Sequence, residues 1–375
     1  MHRYRLELRD RINNFPILEI LDNEYQQLSW SYSRIGGCGE ISFRLPRKLF
    51  EEKNIGGDYN LRVYYRDPDT NAYNLRYQGL VETKNPNIQG NSDVIGINGH
   101  GYSVQLGRIY LDNVTYTNTE ASAIVTDLLD NYIANGDTDI SYDPGDIENT
   151  GFTIDNIKFN ETADVALQKI AEIVGGREHG VDMNRNFYFK ARSTTVGWNF
   201  PLGYKIKDFQ ETQDFSDVVN RLIVQGAESG GTYYKNTYND TPSQLKYGIR
   251  SQVHQNSSIT TDTVASQIAT SIFAEYNDVV RKASCKLVDF NGQIEGTNPI
   301  PLFVILGKAI KYGEKRYGEF LYSGQVQRYV DRVNYRLSNN NNIEVSLDLG
   351  QVRPMVVEQI SQLKFNLEQQ RSSNL

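Results

Sequence analysis

Four histidines, His2, His100, His179 and His254, are the first residues to test for chemistry in this chain. None lies in an HExxH helix or a short His-rich tract, so the sequence holds no zinc-ligand spacing. His100 in Asn98-Gly99-His100-Gly101 and His179 between Glu178 and Gly180 read as turn or solvated side chains. A Cys/His nucleophile pair would have to use Cys38 or Cys285. Cys285 lies in Ala283-Ser284-Cys285-Lys286-Leu287, a strand in which a small buried core residue is the default. Cys38 lies in the glycine turn Gly36-Gly37-Cys38-Gly39, which leaves room for an exposed thiol but marks no base or oxyanion hole beside it. Those glycines do not join a strand to a helix and carry no Walker lysine, so they make no phosphate cradle. Asp143, Asp146 and Glu148 read as a solvated acidic loop around Pro144-Gly145, without calcium-loop spacing. No catalytic residue, cofactor site or metal ligand is therefore assigned, and the chain is expected not to be an enzyme.

The elements that would have to position any site are mostly strands. Short apolar or alternating runs, among them Phe15–Leu21, Leu28–Ser33, Ile41–Leu45, Leu61–Tyr65, Tyr73–Val81 and Val94–Asn98, are punctuated by Gly, Asn and Asp-Pro turn signals. That spacing argues for a small barrel or sandwich. From Thr119 the period becomes helical. Ala121, Ile124, Val125, Leu128 and Tyr132 share a face and Gly136 stops it. A second helix is expected from an Asn160 cap, with Ala163, Ala166, Leu167, Ile170, Ile173 and Val174 apolar and Gly175-Gly176 ending it. A hairpin follows around Asn184-Arg185-Asn186. A third helix spans about Asp262–Tyr276.

The 375 residues carry a net charge of −7, 25 tyrosines, 15 phenylalanines and 2 tryptophans. At about 150 residues per domain this is two or three domains. The acidic balance argues against a face built to grip nucleic-acid phosphates. No run of about 20 apolar residues offers a membrane helix. The N-terminus reads as a strand rather than a secretory signal. Two distant cysteines fit free thiols in a reducing compartment.

An internal repeat organises the strands. Tyr77-Gln78-Gly79-Leu80-Val81 resembles Tyr322-Ser323-Gly324-Gln325-Val326. Leu61-Arg62-Val63-Tyr64 and Leu302-Phe303-Val304-Ile305 precede them. Asp93–Ile97 and Asn342–Ser346 follow them after Asn-rich turns. The order is kept and the spacing between copies is nearly constant. The fold class is therefore mainly β with α+β insertions: two similar small β-barrels with interposed α+β modules. Residues 1–110 form the first barrel and 111–202 an α+β module. Residues 203–226 and 283–352 form a second barrel, interrupted by a helix-bearing insertion at 227–282. Residues 353–375 form a C-terminal helix opening near Pro354. Its Val356, Ile360, Leu363 and Leu367 follow a coiled-coil seam and are the candidate oligomer or partner interface.

In this order the features resemble the central hub proteins of phage tails and contractile injection machines, and the N-terminal regions of tail-associated proteins of non-contractile tails. The resemblance rests on the glycine corner and strand Ser31–Pro46, the helix–Gly–hairpin unit Asn160–Phe189, and Val219–Gly226, which resembles a strand re-entering the second barrel. It implies a homotrimer whose duplicated barrels make a pseudo-sixfold ring. Such a ring joins a sixfold tail tube, or distal tail protein ring, to a threefold spike or tip protein on a separate polypeptide, beside the tape-measure protein. It implies a virion component at the tail tip or baseplate, made in the host cytoplasm. DNA would pass through its axis during ejection without specific binding, along a neutral to acidic lining with Lys and Arg at outer faces or between subunits. No cofactor and no membrane insertion by this chain are implied. Two other readings stay open: a tail-associated cell-wall hydrolase or peptidase, which needs a site not visible in the sequence, and a carbohydrate-binding receptor module using tyrosines as stacking platforms.

Overall fold

The computed structural model describes residues 4–11, 14–52, 59–66, 70–89, 92–136, 138–175, 177–191, 206–229, 232–256, 259–287, 330–337 and 343–349. The first hundred residues give β1 (Tyr4–Arg9), β2 (Pro16–Leu21), β3 (Gln26–Ser33), β4 (Gly36–Pro46), the short α1 (Arg47–Glu52), β5 (Asn60–Arg66), β6 (Tyr73–Gln89) and β7 (Ser92–His100). A 3-10 turn, Tyr102–Arg108, leads to β8 (Tyr110–Glu120), α2 (Ala121–Leu128), β9 (Ser141–Ile147), β10 (Thr153–Thr162), α3 (Ala163–Val174), β11 (Arg177–Val181) and β12 (Asn186–Ala191). Then come β13 (Ile206–Asp214), β14 (Arg221–Ser229), β15 (Thr232–Asn239), α4 (Thr241–Tyr247), β16 (Ser251–Gln255), α5 (Asp262–Tyr276), β17 (Val280–Leu287), β18 (Val330–Leu337) and β19 (Ile343–Leu349). The fold is mainly β with α+β insertions, as the turn-punctuated runs require.

One antiparallel path carries most of the strands, in the order β13-β17-β19-β18-β3-β4-β7-β6-β5-β1-β2. Its inward residues alternate strictly with polar ones, as a half-buried sheet demands. On β18, Val333, Tyr335 and Leu337 are buried while Arg332 and Arg336 are exposed. The inward side chains of β1–β7 and of β17–β19 form a single core, in which Leu6, Phe43, Leu61, Cys285 and Leu347 are all buried. Trp30 of β3 stacks on Tyr335 of β18 with ring centroids 5.0 Å apart, and Tyr32 meets Tyr335 edge-on at 6.1 Å. Aromatic pairs of this kind contribute about 0.5–1.5 kcal/mol each beyond their buried area.

The helical insertions share a second core. Ile124, Leu128, Leu167 and Ile170 of α2 and α3 pack in the same cluster as Leu222, Val224, Ala265 and Ile268. The helices form where the period places them. Gly136 and Gly175 stand at φ 104° and 72°, left-handed positions that glycine takes without a Cβ penalty. The cap of α3 differs: Asn160 lies within β10, and Thr162 occupies the cap position. Two modules expected to be separate are joined directly. Thr261 Oγ1 donates to Asp155 Oδ2 at 2.9 Å, and Gln267 Nε2 donates to the Val174 carbonyl at 3.4 Å.

One strand is placed differently from its reading in the sequence. β14, which contains Leu222–Gln225, pairs with β15 and in parallel with β16, in a three-stranded sheet apart from the main path. Its buried face, Leu222, Val224 and Gly226, packs toward α5 rather than re-entering a barrel. Alternation announces a strand with one buried face, but says nothing about which neighbour covers it.

Candidate assembly surface

The repeat that the sequence outlines has a counterpart in strand order. Among the described residues, β13-β17-β19-β18 and β3-β4-β7-β6 are two antiparallel runs of four strands with the same connectivity logic. The tight β3–β4 hairpin corresponds to β13–β17, into which β14–β16, α4 and α5 are inserted. The β6–β7 hairpin corresponds to β18–β19. The segments 302–306 and 318–326, on which the sequence comparison leaned, lie outside the described residues. So does the segment carrying Val356, Ile360, Leu363 and Leu367, expected to be helical.

The two runs meet where β18 pairs antiparallel with β3, Arg332 opposite Ser33, Asn334 opposite Ser31 and Arg336 opposite Ser29. The face turned away from the core is concave here and encloses a cleft of about 650 Å³, lined by Ser29, Ser31, Glu40, Ser42, Asn98, Lys286, Arg332, Asn334, Arg336 and Glu344, among others. Small hydroxyl and amide side chains share it with Trp30, Ile41 and Tyr335. Its charges alternate in sign across strands. Arg332 lies opposite Asp348, Arg336 opposite Glu344 and Asp208 opposite Lys286, and Lys286 Nζ is 3.1 Å from Glu344 Oε1. Opposite charges facing each other on a sheet contribute about 0.2–1 kcal/mol per pair. The surface is mixed in sign.

Behind it, a buried ion cluster locks three parts of the chain together. The Arg34 guanidinium, at the β3–β4 corner, donates through Nε to Asp331 Oδ1 of β18 at 3.0 Å, and its Nη1 is 3.5 Å from Glu178 Oε1 of β11. All three side chains are at most 3% exposed. Backbone bonds reinforce the arrangement: Arg34 N–H donates to the Asp331 carbonyl at 2.8 Å, and the Tyr188 hydroxyl donates to the Arg34 carbonyl at 3.2 Å. The glycines at the corner serve this junction. Gly37, at φ 78°, packs so closely on β11 that a Cβ would stand 2.1 Å from the Val181 carbonyl oxygen. A Cβ on Gly180 would stand 2.5 Å from Gly36. This permits the parallel pairing of β11 with β4, Gly180 opposite Gly36 and Val181 opposite Gly37.

The residues singled out for chemistry are placed as follows. Cys38 is not exposed: it lies in β4, 1% accessible, and burial pushes its thiol well above the ordinary range. Cys285 is buried in β17, as expected, and burial pushes it up to about 12. Neither can supply a thiolate near neutral pH. His179 is not solvated. It is buried in β11 beside Phe189, and loss of hydration, opposed by nearby Asp164, holds it down to about 4. His254 of β16 is likewise buried and held at about 4 by desolvation. His100 is the last residue of β7 rather than part of a turn. Asp143 and Asp146 belong to β9, not to a loop. Lys190 Nζ is 2.5 Å from Asp146, and Arg177 Nη1 is 3.5 Å from Glu148. Among the described residues no group of three His, Cys, Asp or Glu side chains could hold a metal ion, and no helix is long and apolar enough to cross a membrane. Sequence reasoning missed the Arg34–Glu178–Asp331 cluster, whose members are scattered along the chain. The only local signal was a charged residue at the start of a glycine corner.

This doubled antiparallel sheet with helical insertions is the fold of phage tail proteins. Over 93% of this chain it superposes on 97% of a tail protein from Neisseria meningitidis, with TM-score 0.60 and 11% identity. The 43 kDa tail protein of prophage MuSo2 from Shewanella oneidensis matches over 94% of this chain and 99% of its own, with TM-score 0.62 and 12% identity. The prophage tail protein gp18 of Listeria monocytogenes matches over 98% and 99%, with TM-score 0.55 and 15% identity. No family model and no curated protein sequence matches the chain.

Proposed function

We propose that this protein is the structural hub of a phage tail tip or baseplate, a homotrimer whose doubled strand runs make a pseudo-sixfold ring. The ring joins a sixfold tail tube, or distal tail protein ring, to a separate threefold spike or tip protein next to the tape-measure protein. The observation that carries this reading is the duplicated order β13-β17-β19-β18 and β3-β4-β7-β6 within one sheet. A chain with two equivalent four-strand runs lets three copies present six similar faces, so it can mate with a sixfold partner on one side and a threefold partner on the other. The match over nearly the full length of three tail proteins supports the same reading. In it the mixed-charge concave face lines the axis. It offers no continuous basic belt to hold a duplex, and the protein carries out no reaction of its own. The test is mass by light scattering, alone and with the tail-tube protein, followed by electron microscopy of the product. A mass of three chains and rings with six-lobed averages are expected. A persistent monomer in the presence of the tube protein would refute the reading.

A further inference from the structure

The β5-β1-β2 end of the main sheet carries a surface unlike the mixed cleft at β18–β3. Along β1 and β5 the buried Leu6, Leu8, Leu61, Val63 and Tyr65 point into the core, and Arg5, Arg9, Arg62, Tyr64 and Arg66 alternate with them on the outer face. Tyr64 stands opposite Arg5, and Tyr73 of β6 opposite Arg66. The cations here are all arginine, since β1, β2, β5 and the start of β6 contain no lysine. The Arg5 guanidinium carbon is 4.7 Å from the Tyr64 ring centroid and 4.3 Å from that of Tyr73, and Arg66 is 5.9 Å from the same Tyr73 ring. Contact with a ring face steadies a guanidinium while leaving its in-plane N–H groups free to donate. Two carboxylates share this face. Glu19 Oε2 is 3.5 Å from Arg5 Nη1, and Glu7 Oε1 is 2.8 Å from Arg9 Nη2. Arg62 reaches neutral oxygens, Tyr64 Oη and Asn14 Oδ1, each at 3.4 Å. Among the described residues no carboxylate lies within ion-pair distance of Arg62 or Arg66. The face therefore holds an excess of positive charge on a chain of net charge −7. Phe15 and Ile17, on either side of the Pro16 that pairs with Arg9, are 68% and 48% exposed.

We propose that this face docks an acidic segment of another protein, an extended peptide whose carboxylates pair with Arg62 and Arg66 and whose apolar side chains rest on Tyr64 and Ile17. Arginine and tyrosine beside exposed apolar side chains form the composition of a protein interface. Arg62 and Arg66 are four residues apart on one strand, so their Cα atoms are about 13 Å apart, the reach of four residues of an extended peptide. A peptide with carboxylates at that spacing can put neutral residues over Glu7 and Glu19. A nucleic-acid backbone carries a charge at every step and would run against both glutamates. The fork of a guanidinium takes a carboxylate through two parallel N–H bonds, which an ammonium cannot reproduce.

Fluorescence polarisation on the full chain tests this with a labelled peptide of Glu-Ser-Leu-Ser repeats, which sets carboxylates four residues apart. The parent should bind it and should not bind the matching Gln-Ser-Leu-Ser peptide. Arg62→Gln/Arg66→Gln should weaken binding about tenfold or more, and Arg62→Lys/Arg66→Lys should restore only part of the loss. Lys48→Gln/Lys235→Gln, which removes two exposed cations from other elements, should bind as the parent does. A benzophenone in the peptide should crosslink to residues of β1, β5 and the start of β6, and this map on the parent locates the site without any substitution. Absence of binding by the parent, a crosslink map elsewhere, or an equal loss in Lys48→Gln/Lys235→Gln would overturn the proposal. A single-stranded oligonucleotide that binds more tightly than the peptide, and is lost in Arg62→Gln/Arg66→Gln, would overturn it in favour of a phosphate-binding face. A smaller mass by light scattering for Arg62→Gln/Arg66→Gln than for the parent would overturn it in favour of a contact between copies of this chain.

Discussion

Removing the Arg34 side chain is the most direct test of what holds the sheet's two halves and the α+β hairpin together. Arg34→Ala leaves Glu178 and Asp331, 2% and 3% exposed, without the guanidinium that faces both. Breaking a buried charge pair by deleting one partner costs about 3–5 kcal/mol, because a carboxylate remains buried without that counter-charge. Two carboxylates share this cation, so the upper part of that range is expected. Trp30 is a suitable reporter, since it is buried 5.0 Å from Tyr335 at the β3–β18 junction. In a Trp198→Phe background its emission can be followed through urea unfolding. The charge-free triple variant Arg34→Met/Glu178→Leu/Asp331→Leu is expected to recover most of the loss, since well-packed apolar residues often replace a buried ion cluster at little cost. A loss under about 1 kcal/mol for Arg34→Ala would refute the lock, on the scale of an exposed ion pair. A triple variant as unstable as the single would show that side-chain packing, not charge, holds the junction.

Two further outcomes follow from burial and from the amphipathic terminus. An unfolded imidazole titrates near 6.5, whereas His179 and His254 are held at about 4 in the fold. The unfolded chain therefore binds more protons between those values. Stability is full above about pH 6.5 and falls as pH drops toward 4, by about 3 kcal/mol per histidine; urea midpoints for His179→Leu/His254→Leu should show a shallower pH slope than the parent, and an unchanged slope would exclude the histidines as its source. Deleting residues 354–375, with Val356, Ile360, Leu363 and Leu367, should weaken assembly in sedimentation velocity while leaving the rest folded by circular dichroism, because an apolar stripe must bury against something; unaltered assembly would remove that seam from the interface.

The elements were legible wherever periodicity or turn chemistry acts locally. α2, α3 and α5 follow from apolar residues three and four apart, and β18 from Val333, Tyr335 and Leu337 alternating with Arg332, Asn334 and Arg336. What the sequence hid is non-local. Gly36-Gly37-Cys38-Gly39 looks like an open turn. Its turn is the Arg34-Ile35 pair just before, and its glycines admit the backbone of β11 from far along the chain. That same approach buries Cys38 and His179, whose glycine neighbours had suggested solvent. β14 was read into the wrong sheet because its alternation fits either one. The lock of Arg34, Glu178 and Asp331 had no pattern to betray it, since only the finished sheet brings the three side chains together.

In the proposed ring, a chain of net charge −7 would line the passage without a uniformly acidic wall. Had the exposed face of β18 carried Arg332 and Arg336 alone, three copies in the proposed ring would set cations around the axis and hold phosphates by counterion release. Instead each arginine stands opposite a carboxylate on β19, and Lys286 is engaged by Glu344. Carboxylates on the neighbouring strand offset the cations in register, which weakens the field they would sum to. Between the charges stand Ser29, Ser31, Ser42 and Asn98, short polar groups. In the proposed ring such a face is expected to hold no duplex, which a gel-shift titration at physiological salt checks.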